Sequence, residues 1–150
     1  MSSAEAATAA DYDVAIVGAG PSGATAADDL ARRGYRVLLI DGSTRIKPCG
    51  GAIPPRLVRD FTIPDHLLKA RIKSARIIAP SGRHVDMPIS GGYVGMVDRD
   101  EFDEWLRERA VSNGATRVRA SFREFTRDSD GVARLRLARL DDQATEEVRA

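Results

Sequence analysis

An α/β fold with a parallel sheet is predicted by three observations. A short apolar run, Asp13-Val-Ala-Ile-Val17, empties directly into Gly18-Ala-Gly20-Pro-Ser-Gly23 and then into a segment of helical spacing. A second apolar run, Arg36-Val-Leu-Leu-Ile40, follows and ends on Asp41. Further along, the apolar period shifts from helical to alternating, which adds antiparallel strands to the parallel core.

Taken in order, residues 12–17 read as the first strand and 21–33 as a helix that buries Ala24, Ala27, Leu30 and Ala31 and stops at Gly34. Residues 36–40 form the second strand. The stretch 42–55, with Lys47, Pro48, Cys49, Gly50 and Gly51, is too rich in glycine and proline for a helix, and its backbone is expected to be closely approached. Residues 55–61 and 65–71 read as short helices, the latter with Asp65 as N-cap. Residues 75–79 and 84–89 flank Pro80-Ser-Gly-Arg83 as a hairpin, and 93–97 is a further strand of this antiparallel, substrate-facing element. Asp98 then caps a helix, with Glu101 three residues on as its capping-box partner. Phe102, Trp105, Leu106 and Ala110 make the buried stripe, and Asn113-Gly114 ends it. Residues 116–120 return to the parallel sheet. Residues 122–126, a turn at Asp128-Ser-Asp-Gly131, 132–140 and the start of a strand over 145–150 form a meander in which Arg134 and Arg136 occupy the wet face. The organisation expected is a flexible tail at 1–10, an α/β domain over 11–73 and 98–150, and an inserted antiparallel element beginning at 74–97.

Composition narrows the function. The 150 residues carry 23 basic and 22 acidic side chains, so the near-zero balance gives nucleic-acid binding no electrostatic support, and the arginines are expected on a solvated surface. No apolar run reaches the length of a membrane span. The single cysteine, Cys49, excludes an internal disulfide, and His66 and His84 without a cysteine cluster offer no metal site. The first ten residues lack a basic leader and an apolar segment, so a cytoplasmic location is expected.

The glycine turn has a chemical reason. Gly18 permits the tight strand-to-helix turn, Gly20 lets the backbone approach a diphosphate without an intervening Cβ, and Gly23 lets the helix pack on its strand. With Pro21 and Ser22 in the opening helical turn, free N–H groups at the positive helix end would hold the anion. Asp41 stands where an acidic side chain meets the adenosine ribose hydroxyls, so Gly18, Gly20, Pro21, Ser22, Gly23 and Asp41 read as a dinucleotide site. The bland alternative is an ordinary βαβ turn with Asp41 solvated.

These motifs, together with Arg99-x-x-x-Asp103-x-x-Leu106 on the capped helix, resemble the first part of FAD-dependent flavoproteins with the para-hydroxybenzoate hydroxylase fold. Within that superfamily, Lys47-Pro-Cys-Gly-Gly-Ala-Ile-Pro54 is similar to the geranylgeranyl reductase family, its wording nearest the chlorophyll and bacteriochlorophyll branch. The resemblance covers residues 11–150. It implies a Rossmann-like FAD-binding sheet, FAD as cofactor, NADPH as reductant, and a geranylgeranyl diphosphate or tetrapyrrole-ester substrate whose prenyl double bonds are reduced, with peripheral membrane contact open. The Gly-Ala-Asp-Gly and later Gly-Asp motifs of the superfamily do not occur, so the chain is expected to be an N-terminal fragment that retains FAD poorly.

The resemblance gives Arg99 a role at the phosphate or ribityl region of FAD; the alternative is a surface arginine balancing Asp103 four residues on. Gly50 and Gly51 would let their loop lie against flavin or prenyl chain, and Cys49 would be a weak proton donor or else a small buried packing residue. Tyr93 and Trp105 line a lipid cavity or belong to the core, and His66 and His84 are solvated. A flavin monooxygenase and an inactive nucleotide-binding remnant are the rival functions.

Overall fold

The computed structural model describes residues 10–42 and 48–150. The expectation placed on Lys47 lies outside them. In chain order the elements are β1 (Val14–Val17), α1 (Pro21–Arg32), β2 (Val37–Ile40), β3 (Ala52–Ile53), α2 (Pro55–Asp60), a 3-10 turn (Asp65–Leu67), β4 (Leu68–Ile72), β5 (Ser74–Ile78), β6 (His84–Pro88), β7 (Val94–Val97), α3 (Arg99–Ser112), β8 (Thr116–Val118), β9 (Ala120–Arg127), β10 (Ala133–Arg139) and β11 (Thr145–Arg149). They fall into two compact units, Met1–Arg45 with Asp103–Ala150, and Ile46–Phe102.

In the first unit β2 is the middle strand of a parallel sheet ordered β1-β2-β8. All four of its residues are buried, as a strand covered on both faces requires. Leu38 and Ile40 point to one face and join Ala120, Leu135, Leu137 and Val148 in a core over which the antiparallel sheet β11-β10-β9 lies. Val37 and Leu39 point to the other face, where α1 packs through Ala24, Ala27 and Ala31. Each fully buried Val, Leu or Ile of β2 contributes about 1.5–3 kcal/mol. Gly34, at φ +85°, receives the end of α1 and donates its N–H to Ala31 O at 2.9 Å. The meander alternates as its sequence predicts, with Leu135 and Leu137 inside and Arg134 and Arg136 in a ladder of ion pairs with Asp128, Glu124 and Glu147.

The second unit contains a sheet ordered β3-β7-β4 and the separate β5-β6 hairpin. Gly95 lies in the middle of β7, where a Cβ would meet Leu68 Cδ2 at 2.8 Å and Ile53 Cγ1 at 3.2 Å. Its lack of a side chain therefore admits the buried Leu68 and Ile53. Asp98 caps α3 as expected, accepting the Asp100 N–H at 3.1 Å. The Glu101 carboxylate meets Lys69 Nζ at 2.6 Å.

The sequence reading fails in several places. Residues 65–71, expected as a helix capped by Asp65, make one 3-10 turn whose cap position is Pro64, and then β4. Pairing with β7 takes up the backbone of 68–72, and tertiary pairing overrides a weak helical period. The expected loop at 42–55 ends in β3, paired with β7 through Ala52↔Met96 and Ile53↔Gly95. On α1 the residue sealed beside the alanines is Asp28, 2% exposed, rather than Leu30. The arginines are not uniformly solvated: the side chains of Arg107, Arg109, Arg117 and Arg149 are 15–21% exposed, each paired with aspartate.

Candidate nucleotide site

The site begins where β1 ends. Gly18 takes φ +107° and donates its N–H to Ile40 O at 3.0 Å, so the turn stays tied to β2 as it bends away. A Cβ on Gly23 would collide with the Gly18 carbonyl oxygen, which fixes glycine there for helix-to-strand packing. A Cβ on Gly20 would meet nothing within 4 Å. Gly20 is the N-cap of α1 in an extended conformation, with no side-chain capping bond, Pro21 next, and no acidic residue in the first turn. The opening N–H groups of α1 therefore face a space that an anion can enter, with Ser22 exposed beside it.

Asp41 follows β2 immediately. Its N–H donates to Val118 O at 2.8 Å, and its side chain is sealed between strands, the residue being 3% exposed. Arg117, opposite Leu39 on β8, brings both Nη2 (2.6 Å) and Nε (3.2 Å) to Asp41 Oδ2. Arg107 of α3 stands 3.6 Å from the same oxygen and donates Nε to Ala19 O at 2.8 Å, tying α3 to the glycine turn. Glu104 closes the group: it accepts from Arg117 Nη1 at 2.5 Å and from Arg107 Nη1 at 2.9 Å. The Arg117 hydrogen bond holds the Glu104 carboxyl below its ordinary value against partial burial, with Arg107 adding to it. Burial opposes the Arg117 charge, but hydrogen bonds to Glu104 and Asp41 outweigh it and raise the guanidinium pKa. One atom is left over. Asp41 Oδ1 is buried and receives no hydrogen bond among the described residues. An unmet buried acceptor costs about 1–3 kcal/mol, more when charged, and such atoms concentrate where a ligand supplies the donor.

Gly18, Gly20, Pro21, Ser22, Gly23 and Asp41 thus lie together in the first unit. Cys49, Gly50, Gly51 and Arg99 belong to the second. Cys49 is exposed, which removes its reading as a buried packing residue. Gly51 is buried at φ +67°, its carbonyl accepts the Val97 N–H at 2.9 Å, and a Cβ there would collide with Val97 O. Gly50 has open space around it. Arg99, the first residue of α3, is half-buried, as are Tyr93 and Trp105, which carry the guanidinium groups of Arg71 (5.4 Å) and Arg109 (4.7 Å). His66 and His84 are exposed. Sequence reasoning missed Glu104, Arg107 and Arg117. Glu104 and Arg107 are spaced i,i+3 on one helix face, a legible pair, but their convergence on Asp41 depends on the β2–β8 register.

Residues 11–150 match the FAD binding domain family. The chain belongs to that family. Its site fits the adenosine diphosphate half of FAD: an open glycine cradle at a helix start, and a buried carboxylate oxygen awaiting a donor. Over 118 residues this FAD binding domain is 62% identical to a geranylgeranyl diphosphate reductase of Rhodobacter capsulatus, covering 79% of this chain and 30% of that protein. It is 40% identical over 113 residues to the chloroplastic geranylgeranyl diphosphate reductase of Arabidopsis thaliana, covering 73% and 24%. Among solved structures it is similar to a geranylgeranyl bacteriochlorophyll reductase-like protein of Thermoplasma acidophilum, with a TM-score of 0.80 and 25% identity, covering 93% and 37%. The chain therefore spans well under half the length of these relatives. No helix of the described residues is long and apolar enough to cross a membrane.

Proposed function

We propose that the protein carrying this FAD binding domain reduces the isolated prenyl double bonds of a geranylgeranyl group, borne on a diphosphate or a (bacterio)chlorophyll ester, with NADPH as electron donor. The observation that carries the reading is the 62% identity to a geranylgeranyl diphosphate reductase. The segment Cys49-Gly-Gly-Ala-Ile-Pro54 supports it and weighs against an aromatic monooxygenase. The reading keeps the protein in the cytoplasm, in peripheral contact with a membrane when the substrate is lipid-borne.

An isolated alkene has no carbonyl to polarise, so its reduction requires a strong hydride donor held dry and in contact. FAD, when bound and reduced, supplies that hydride. The residues of this chain do the holding. The glycine turn Gly18–Gly20, leading through Pro21 into α1, would cradle the pyrophosphate, with the backbone N–H groups of Ser22 and Gly23 donating to it, Asp41 would accept from the adenosine ribose, and Arg99 would meet a phosphate or the ribityl region. Cys49, exposed beside the open Gly50, is the candidate to deliver the proton to the second alkene carbon. Gly51 has a packing duty against Val97 in addition to any approach of substrate.

The test is anaerobic single-turnover kinetics on the full-length enzyme with geranylgeranyl diphosphate. NADPH should reduce the flavin and the prenyl substrate should reoxidise it with formation of the saturated bond. Gly50→Val should stop the second half-reaction while FAD stays bound, and Cys49→Ala should slow it without slowing the first. Gly51→Val is the poorer probe because it should also lower stability. A flavin that ignores prenyl substrates but drives oxygen uptake with an aromatic acid would replace the reductase reading by the monooxygenase one.

A further inference from the structure

Asp41 is held in an unusual way for a paired carboxylate. An arginine facing a carboxylate often forms two parallel bonds, one to each oxygen. Here two donors of Arg117, Nη2 at 2.6 Å and Nε at 3.2 Å, converge on Oδ2 alone, and Arg107 lies 3.6 Å from that same oxygen. The remaining edge of the Arg117 fork is taken by Glu104, through Nη1 at 2.5 Å and Nη2 at 3.1 Å. Arg117 therefore has its planar fork engaged between two carboxylates and little freedom to turn, while Oδ1 of Asp41, on the opposite side of the carboxyl group, is buried and has no donor among the described residues.

We propose that Arg117, braced by Glu104, is a positioning residue that commits Asp41 Oδ2 to the protein and leaves Oδ1 to accept from the adenosine ribose, and so sets the selectivity of this domain for nucleotides with an intact ribose diol. The inference rests on Asp41 as the ribose acceptor in the FAD reading above. Two arginines already balanced by two carboxylates leave no unspent positive charge for a phosphate on the ribose, whereas a neutral hydroxyl meets the need of Oδ1 directly. The link from Arg107 to Ala19 O connects the same network to the glycine turn, so the ribose acceptor and the phosphate cradle are held in one frame. Lysine at 117 could supply the charge but not the fork that bridges Asp41 and Glu104.

The test uses the full-length protein freed of flavin and measures calorimetric affinity for ADP, 2′-deoxy-ADP and 3′-deoxy-ADP. The wild type should lose roughly tenfold in affinity on removal of at least one hydroxyl, the loss expected for one charge-assisted hydrogen bond. Arg117→Met should bind ADP roughly tenfold more weakly and no longer distinguish it from the deoxy analogues, matching Asp41→Ala. Arg117→Lys should retain part of the discrimination, and Glu104→Gln more than Arg117→Met does. Melting curves in the absence of nucleotide accompany each variant, and Arg117→Lys carries the test should Arg117→Met fail to fold. A purely structural Arg117 would lower the melting temperature and leave the ratio of ADP to deoxy-ADP affinity at its wild-type value, and that result overturns the proposal. A wild type that does not distinguish the three nucleotides, or binds none of them, overturns it as well. Diol discrimination in an enzyme that ignores prenyl substrates would refute the substrate assignment alone.

Discussion

Two aspartates in the first unit, both almost fully sealed from water, show how differently one side chain can be used. Asp28 is engaged through both oxygens: Oδ1 accepts from Arg32 Nε (3.1 Å) and Asn113 Nδ2 (2.6 Å), and Oδ2 forms an ion pair with Arg109 Nε at 3.1 Å. It joins α1 to α3 and has nothing to offer a ligand. Removing one partner of a buried pair leaves the other charge stranded, so Asp28→Ala should lower unfolding free energy by about 3–5 kcal/mol in urea titration. The folded fraction should keep its nucleotide affinity. Asp41 keeps one oxygen unspent, so its loss should fall on binding. The glycines divide in the same way. Gly23→Ala should destabilise the protein before any ligand is added, because its Cβ meets backbone. Gly20→Ala should leave the melting temperature of the flavin-free protein near wild type yet weaken FAD retention, because that Cβ occupies the open cradle. If both variants melt alike, packing and cradle have been misassigned. The glycine spacing was legible because its chemistry is local. Asp28 was not, since it sits among alanines and its partners Arg109 and Asn113 come from the end of a distant helix and the turn that follows it.

Elements were legible in proportion to how much of their stability is local. The glycine turn, α1 and the capped start of α3 each carry their own punctuation, and each lies within a residue or two of its expected bounds. Asp98→Ala tests the capping bond: about 1 kcal/mol of stability should be lost in urea titration, and an unchanged midpoint would make that bond incidental. By contrast β3 and β4 exist because β7 pairs with both, and no periodicity within 52–53 or 68–72 announces a partner so far along the chain. The candidate site was half legible for the same reason. Its glycines and Asp41 follow a sequence spacing, whereas Arg117 is placed by the register of β8 against β2.

At the scale of the whole molecule, arginine pairing governs the acid response. Arginine hydrogen bonds are the largest cause holding the carboxyls of Asp13, Asp60, Asp86, Glu104, Asp128, Asp141 and Glu147 below their ordinary values, with charge attraction adding at all but Asp86, and with Asp141 brought down to about 2. A carboxyl group more acidic in the folded than in the unfolded chain adds stability that is complete above the unfolded pKa and vanishes as pH falls through the folded one. Stability should therefore be level above about pH 5 and decline from roughly pH 4.5 towards pH 2, in shallow steps because most of these pairs face solvent. Unfolding midpoints measured across that range check it, and a protein that gains stability on acidification would contradict the pairing.

The middle position of β2 also sets an order of assembly. The contact of Asp13 with Arg36 beside β1 joins residues 23 apart, while that of Asp41 with Arg117 beside β8 joins residues 76 apart. Closing the longer loop costs about 1 kcal/mol more chain entropy, so β1, α1 and β2 come together before β8 arrives. Early in refolding the phosphate turn should thus take shape before Asp41 meets its arginine. Conservative substitutions around Val118 should accelerate unfolding and leave the folding rate nearly unchanged, whereas those at Ala24 or Leu39 should slow folding. A nascent chain would then be able to grip a diphosphate before it can recognise the sugar attached to it.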